Sequence, residues 1–131
     1  MSTHLIFVYG SLLSGHYNNK KFLQKVKPIC KTEIKANNYV MFSLGKYPGV
    51  CRIFQQDQKG YGTIKGEIYQ INHETLKLLD ELEGHPDWYK RTKEKTKSGH
   101  IVEFYVQPNT TSDFYIENGD WDTYCIQNNL K

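Results

Sequence analysis

The spacing of apolar and polar residues along the chain predicts a series of short strands. A compact apolar run from Leu5 to Tyr9 stops at Gly10, which is typical of a buried first strand. Further strands are expected at 29–35, 38–44, 50–54, 63–71, 88–96 and 100–106. Turn residues at Asn37-Asn38, 56–60 and Ser98-Gly99 indicate that these strands pair two by two in sequence order.

The same pattern predicts two helices, of which the first is short. Asn18 or Asn19 is expected to cap a helix that continues through Val26 and ends before Pro28. The tail after the last strand is expected to be irregular. Many strands together with two helices indicate an α+β domain built on a mixed, partly closed sheet.

The second helix, from about His73 to Glu83, has clear signals at both ends. Asn72 is a residue type that accepts hydrogen bonds from the first turn of a helix, so we expect it to be the N-cap. Gly84 suits the left-handed conformation that ends a helix, and Pro86 prevents the helix from resuming.

Composition indicates one ordinary folded domain over residues 1–131, since 24% of the residues are charged and 38% are hydrophobic. The net charge of +3 is small, and the lysines of 90–97 alternate with other residues, as on the solvent face of a strand. We therefore expect no nucleic-acid partner. The sequence contains no signal peptide pattern and no apolar run long enough for a bilayer, so a cytoplasmic protein without a membrane partner is predicted.

The cysteines and histidines do not indicate a metal site. Cys30, Cys51 and Cys125 are widely separated and form no CxxC motif, which fits free thiols in a reducing compartment. The five histidines lack the spacing of metal ligands.

One acidic residue lies on the apolar side of the second helix. At about 3.6 residues per turn, Leu76, Leu79 and Glu83 form a single stripe, which Leu78 and Leu82 are expected to widen. The opposite, solvent-facing side is expected to hold Glu74, Lys77 and Glu81. The helix therefore turns Glu83 inward.

A glutamate in this position can be catalytic or structural. Burial raises the pKa of a carboxyl group because the charged form loses water, and a carboxyl group near neutrality can both accept and release a proton. Two structural alternatives stay open. Glu83 could bend out to solvent at the helix end, or it could pair with Arg91 or Lys90.

The loop Tyr9-Gly10-Ser11-Leu12 connects the first strand to the first helix. Successive main-chain N–H groups in such a turn can bind an anion, and the dipole of the following helix adds to the attraction. A carboxylate or phosphate ligand is therefore favoured. The loop matches none of the GxxxxGK[ST], GxGxxG and GxSxG motifs, and a purely structural turn is the alternative.

Several segments match the motifs of a known family in order. Val8-Tyr9-Gly10-Ser11-Leu12 is similar to a YGxL loop, and 79–84 with Pro86, Tyr89 and Arg91 is similar to an LDxxEG…P…YxR segment. Further matches are Tyr47-Pro48-Gly49, Gly66-Glu67-Ile68-Tyr69 and Gly119-Asp120-Trp121. The chain thus resembles the γ-glutamylcyclotransferase-like family, most closely its γ-glutamylamine cyclotransferase (AIG2-like) branch.

The resemblance implies a small mixed β-barrel flanked by short helices, and an enzyme that releases 5-oxoproline from a γ-glutamyl compound. By resemblance, Glu83 matches the catalytic acid/base. The substrate-binding positions implied in the same way are Tyr9, Gly10, Ser11 and Leu12 and, in the loosely matching tail, a cavity tyrosine at Tyr115. The resemblance implies neither a cofactor nor a metal.

The chemistry of these residues fits that activity. The α-amine of a γ-glutamyl group would attack its own γ-carbonyl, while Glu83 removes a proton from the amine and delivers one to the departing amine. Donors of the Tyr9–Leu12 loop would hold the α-carboxylate or the developing oxyanion. Ser11 has no His/Asp partner pattern that would make it a nucleophile, so it is interpreted as a hydrogen-bonding residue of the loop. Trp88 is expected to pack and not to bind.

Two other functions stay open. The same cavity could hold a carboxylate ligand without turnover, as a non-catalytic small-molecule binding module. A weak nucleic-acid binder rests on the charge alone. For the leading hypothesis the expected partner is a small γ-glutamyl substrate, and the protein is expected to be a monomer or weak homodimer. The group attached to the γ-glutamyl carbonyl depends on loops such as 45–49 and 108–120, which the pattern does not place.

Overall fold

The computed structural model describes residues 3–35, 39–52, 63–107, 115–116 and 119–129, which form eight strands and three helices. The strands are β1 Thr3–Val8, β2 Cys30–Lys35, β3 Tyr39–Ser43, β4 Pro48–Arg52, β5 Thr63–Asn72, β6 Lys90–Lys95, β7 Ile101–Val106 and β8 Tyr115–Ile116. The helices are α1 Tyr17–Phe22, α2 His73–Glu83 and α3 Trp121–Gln127. The α+β class that the sequence predicts is confirmed.

Five of the strands form a mixed sheet in the order β2-β5-β1-β7-β6. The central strand β1 pairs antiparallel with β5 and parallel with β7, whereas β2–β5 and β6–β7 are antiparallel pairs. The second half of β1 is fully buried, as its apolar run predicts. The loop that follows β1 therefore starts from the middle of the sheet.

The remaining strands form a second, antiparallel sheet in the order β4-β3-β8. Hydrogen bonds join the two sheets: the N–H of Gln107, just after β7, donates to the Val50 carbonyl of β4 over 2.7 Å, and the Tyr39 hydroxyl of β3 donates to Glu94 of β6 over 3.1 Å. In the described residues no strand ladder crosses between the sheets. The expected β-barrel is therefore corrected to two sheets that share one core, because both edges of β3 are occupied by β4 and β8.

Two of the three predicted strand pairs are wrong. β2 pairs with β5 instead of with β3, and β4 pairs with β3 instead of with β5. The turns predicted at Asn37-Asn38 and at 56–60 lie outside the described residues. The third pair is confirmed, since β6 and β7 form a hairpin whose turn contains Gly99 at a φ of +90°.

Helix α2 has the predicted bounds and both predicted caps. The side chain of Asn72 accepts a hydrogen bond from the Thr75 N–H over 2.8 Å, and Gly84 adopts a left-handed conformation with φ +67°. Leu76 and Leu79 are fully buried against the core. These local signals place Glu83 at the last turn of the helix.

The other helices differ from the prediction. Helix α1 begins at Tyr17 and ends at Phe22, so Asn18 and Asn19 lie inside it instead of capping it. Helix α3 lies in the tail that was expected to be irregular; its N-cap, Asp120, accepts hydrogen bonds from Thr123 N–H at 3.1 Å and Oγ1 at 2.9 Å. In the described part of the chain, none of the helices has the length and apolar character that a membrane crossing requires.

Candidate active site

A cavity of about 280 Å³ opens beside the end of β1. One wall is formed by residues 7–12 of β1 and the following loop, and a second wall by Tyr47 and Pro48. The end of α2, the turn after it and Tyr105 of β7 complete the cavity. It therefore lies where the two sheets and α2 meet.

Glu83 lines this cavity from the last turn of α2. Burial raises the pKa of its carboxyl group to about 7. The helical periodicity predicts that Leu78 and Leu82 widen the buried stripe of α2, but Leu78 is 50% exposed and Leu82 is 38% exposed. Leu82 lies on the cavity side, whereas Leu78 is not among the residues that line it.

The structural alternative of a Glu83–Arg91 ion pair does not occur. The Arg91 guanidinium instead forms ion pairs with Asp80, three residues earlier on α2, and with Glu103 of β7. Burial tends to raise the pKa of Asp80, but hydrogen bonds from Arg91 and Tyr105 outweigh it, so the pKa lies below its ordinary value. Arg91 thus secures α2 to the sheet and leaves the Glu83 carboxyl group to the cavity.

Three buried tyrosines surround the site with fixed hydroxyl groups. Tyr9 donates to the Tyr105 carbonyl at 2.5 Å and Tyr89 to the Pro48 carbonyl at 2.6 Å, while the Tyr105 hydroxyl donates to Asp80 Oδ1 at 2.6 Å. Burial raises the pKa of all three hydroxyl groups well above their ordinary value. Asp80 adds to the effect at Tyr105, and the nearby Glu83 adds to it at Tyr89. They stay protonated across the physiological range and hold the cavity walls in place.

The loop after β1 lines the same cavity and contains main-chain N–H groups without a hydrogen-bond partner in the described residues. Among the hydrogen bonds of the described residues, none uses the N–H of Ser11 or Leu12, although both residues line the cavity. Gly10 packs so closely on Pro48 that an added Cβ would lie 2.7 Å from the proline ring. The Ser11 hydroxyl accepts a hydrogen bond of 2.8 Å from Asn18, a buried residue of α1.

A buried polar network secures this loop from behind. The Glu67 carboxylate of β5 accepts hydrogen bonds from Ser14 N–H at 2.8 Å and from the Tyr69 hydroxyl at 3.2 Å. The Asn19 amide donates to the Leu12 carbonyl at 2.8 Å and to the Tyr69 hydroxyl at 2.9 Å. The sheet thereby fixes the loop at two places, on either side of Leu13.

The structure brings together five of the six site residues that the sequence analysis names. Glu83 and the Tyr9-Gly10-Ser11-Leu12 loop share the cavity. Tyr115 does not join them; it lies 39% exposed in β8, where it pairs with Phe42 of β3. Its place in the site stays a prediction. The loops named as possible walls contribute Tyr47 and Pro48, whereas 108–114 and 117–118 lie outside the described residues.

Sequence reasoning missed the aromatic part of the cavity. Tyr17, Tyr47, Trp88, Tyr89 and Tyr105 all line it. Trp88, expected to pack, is 43% exposed at the cavity and makes an edge contact with Tyr89. Tyr47 and Tyr89 belong to the family motifs quoted in the sequence analysis, and this membership could have indicated that they lie at the site. In the described residues, no group of three or more His, Cys, Asp and Glu side chains is placed to hold a metal ion.

Comparison with known proteins is decisive for the family. The model of the family described as "Gamma-glutamyl cyclotransferase, AIG2-like" matches residues 6–123, which include every described residue that lines the cavity. The chain belongs to this family. A γ-glutamylcyclotransferase-type enzyme is the class that this membership supports.

Individual relatives agree with the family assignment over nearly the whole chain. A protein of Methanocaldococcus jannaschii is 35% identical over 123 residues, which cover 91% of this chain and 96% of that protein. "Gamma-glutamylaminecyclotransferase C" of Danio rerio is 32% identical over 142 residues, covering 92% and 91%. A crystal structure of an AIG2-like protein from mouse has the same fold, with a TM-score of 0.73 at 20% identity over 94% of this chain and 90% of that one.

Proposed function

We propose that this member of the γ-glutamyl cyclotransferase, AIG2-like family releases 5-oxoproline and a free amine from a γ-glutamyl amine or related small molecule, with Glu83 as general acid/base. One observation carries the proposal. A carboxyl group whose pKa is raised to about 7 lines the same cavity as a loop with unused main-chain N–H groups. No nucleophilic side chain of the protein is required, because the attacking amine belongs to the substrate.

Binding would begin at the Ser11–Leu12 main chain. Its N–H groups suit an anion, so they hold either the α-carboxylate of the γ-glutamyl group or the oxyanion that develops on the γ-carbonyl oxygen. The hydrogen bonds from Asn18 and Asn19 keep the loop in place before the substrate arrives. The substrate is thereby folded so that its α-amine lies near its own γ-carbonyl carbon.

Glu83 then moves the protons. At neutral pH the substrate amine is mostly protonated, and about half of the Glu83 carboxyl groups are ionised when the pH equals a pKa of about 7. The carboxylate removes a proton from the ammonium group, and the free amine attacks the γ-carbonyl carbon to form the five-membered ring. In the tetrahedral intermediate the ring nitrogen still carries two protons, and Glu83 holds the one it removed. Glu83 gives this proton to the nitrogen of the original amide, and the C–N bond to that nitrogen breaks. The ring nitrogen releases its second proton, which the freed amine takes up, so the products are 5-oxoproline and a protonated amine.

The test is the substitution Glu83→Gln, which keeps the size of the side chain but removes its proton transfer. We expect 5-oxoproline release from a panel containing γ-glutamyl-ε-lysine and γ-glutamyl-amino acids to fall by roughly 10²–10⁴-fold, with the fold retained in circular dichroism. Glu81→Gln, an exposed position two residues earlier on α2, is the matched control and should keep full activity.

Full activity of Glu83→Gln would show that the mechanism is wrong. Saturable binding of the panel by the wild-type protein without any 5-oxoproline would instead support a non-catalytic binding module and contradict the enzymatic proposal.

A further inference from the structure

The mouth of the cavity is unusually apolar. Tyr17 is 67% exposed, Trp88 43%, Leu82 38% and Tyr47 36%, and all four line the cavity. They account for four of the nine large hydrophobic side chains that are exposed in the described residues. Contact between apolar side chains and water is unfavourable, so a cluster of them at a cavity marks a surface that binds an apolar group.

The inner part of the cavity has a different character. Tyr9, Asn18, Tyr89 and Tyr105 are buried there, together with the raised-pKa carboxyl group of Glu83 and the main-chain donors of the loop. The groups proposed to hold the γ-glutamyl head, Glu83 and the loop N–H groups, therefore lie among buried side chains, whereas the exposed apolar side chains lie toward solvent. The site is divided along its depth into a polar end and an apolar end.

Charge distinguishes the possible leaving groups. Among the described residues that line the cavity, Glu83 is the one charged side chain, and neither Lys nor Arg is present. A leaving amine that is an α-amino acid carries a carboxylate, which would have no cationic partner here and would repel ionised Glu83. An amine without a carboxylate has no such penalty.

We infer that the preferred substrate is the γ-glutamyl amide of an apolar monoamine, one that carries an aromatic or branched aliphatic group and no carboxylate. This inference rests on the proposed function. Its specificity-determining residues are Leu82, Trp88 and Tyr47, which contact the amine portion, whereas the inner residues contact the γ-glutamyl portion common to all substrates.

Three substrates separate the effects of the ring and of the carboxylate. γ-Glutamyl-phenethylamide and γ-glutamyl-phenylalanine differ by one carboxylate, and γ-glutamyl-methylamide lacks the ring. We expect kcat/KM, measured from 5-oxoproline release, to be at least about tenfold higher for the phenethylamide than for either of the others, since a single apolar group in a pocket is worth roughly 10- to 200-fold. Equal values, or a preference for γ-glutamyl-phenylalanine, would overturn the inference.

The two exposed leucines of α2 supply a matched pair of variants. The ratio of kcat/KM for the phenethylamide to that for the methylamide should fall about three- to tenfold in Leu82→Ala, and further in Trp88→Ala, because apolar contact with the ring is lost. Leu78→Ala removes another exposed leucine of the same helix, one that does not line the cavity, and it should leave the ratio unchanged. The same ratio in Leu82→Ala and Leu78→Ala would contradict the assignment.

The outcomes also distinguish this inference from the proposed function. If none of the three compounds yields 5-oxoproline but γ-glutamyl-ε-lysine does, the preference for an apolar amine is wrong and the proposed function stands. If γ-glutamyl-ε-lysine also yields none, both fail. If γ-glutamyl-phenylalanine is turned over at least as well as the phenethylamide, the cyclotransferase activity stands and the preference for an apolar amine is wrong.

Discussion

At the scale of single residues, proton transfer depends on the environment of one carboxyl group. Glu83 ends α2, where the negative end of the helix dipole disfavours an additional negative charge. Its neighbours in the cavity include protonated tyrosines and apolar groups, and Arg91 is paired with Asp80 and Glu103 instead. The carboxyl group therefore stays close to half-ionised at neutral pH.

This environment predicts a dependence of stability on pH. The pKa of Glu83 rises from 4.5 to about 7 on folding, so the folded state binds the proton more tightly than the unfolded state. The stabilisation is complete below the unfolded pKa and is lost as the pH rises through the folded pKa. Glu83→Gln, which cannot ionise, should therefore become more stable relative to wild type by about 1–3 kcal/mol between pH 5 and pH 8.

Urea denaturation at the two pH values measures this difference. Glu81→Gln serves as the control and should track the wild-type protein. If the difference in unfolding free energy between Glu83→Gln and wild type stays constant from pH 5 to pH 8, folding does not raise the pKa of Glu83.

At the scale of elements, the loop between β1 and α1 depends on β5. Glu67 of β5 is buried, and its carboxylate accepts hydrogen bonds from Ser14 and Tyr69. Buried polar groups of this kind are costly to leave without a partner, so the network holds the loop in one conformation. Glu67 would act on the reaction through the position of Ser11 and Leu12, as a positioning residue.

Removing this support should reduce turnover more than binding. For Glu67→Ala we expect a loss of about 1–3 kcal/mol in unfolding free energy and a fall in kcat that exceeds any rise in KM. Glu67→Gln keeps an oxygen that can accept from Ser14 N–H and should restore most of the activity. Because Glu83 is unchanged, the inflection of the pH–activity profile should lie at the same pH in both variants as in the wild-type protein. A shifted inflection would contradict a purely positioning role.

The elements also show what local sequence can predict. Helix α2 and the inward position of its last residue could be predicted from local signals: an N-cap residue, a glycine at the C-terminal end and the 3.6-residue periodicity of the leucines. The glycine loop could be predicted from the end of the first apolar run. The partners of β2, β3, β4 and β5 could not be predicted, because turn residues indicate a reversal of the chain but not which strand lies alongside. Helix α3 carried a usable signal, since Asp120 stands directly before Trp121 and is a residue type that caps helices.

At the scale of the whole molecule, the cavity exists because two sheets meet at it. Gly10 belongs to the loop that leaves the large sheet, and Pro48 begins β4 of the small sheet. Tyr89, from the turn after α2, donates to the Pro48 carbonyl and fixes the same junction. The aromatic walls come from these distant segments, which is why the sequence predicted the carboxyl group and the loop but not the rings around them.

The close approach of Gly10 and Pro48 predicts the effect of a single added methyl group. In Gly10→Ala the new Cβ would lie 2.7 and 2.8 Å from Cγ and Cδ of the rigid proline ring, so the loop and the small sheet must separate. We expect a loss of about 1–3 kcal/mol in unfolding free energy and a drop of at least about tenfold in kcat/KM.

Gly10→Ala combined with Pro48→Ala removes the two clashing carbons and should recover part of the stability that Gly10→Ala loses. A Gly10→Ala protein with wild-type activity and stability would show that the junction is not closely packed.

The dependence of kcat/KM on pH tests the central claim, proton transfer by Glu83, most directly. For wild-type protein and a γ-glutamyl amide, kcat/KM should rise with pH and level off after an inflection at about 7, the pKa to which burial raises the Glu83 carboxyl group. Below the inflection it should fall about tenfold per pH unit, and the residual activity of Glu83→Gln should lack this step. A wild-type profile that is flat from pH 5 to pH 8, or the same inflection in Glu83→Gln, would contradict the account.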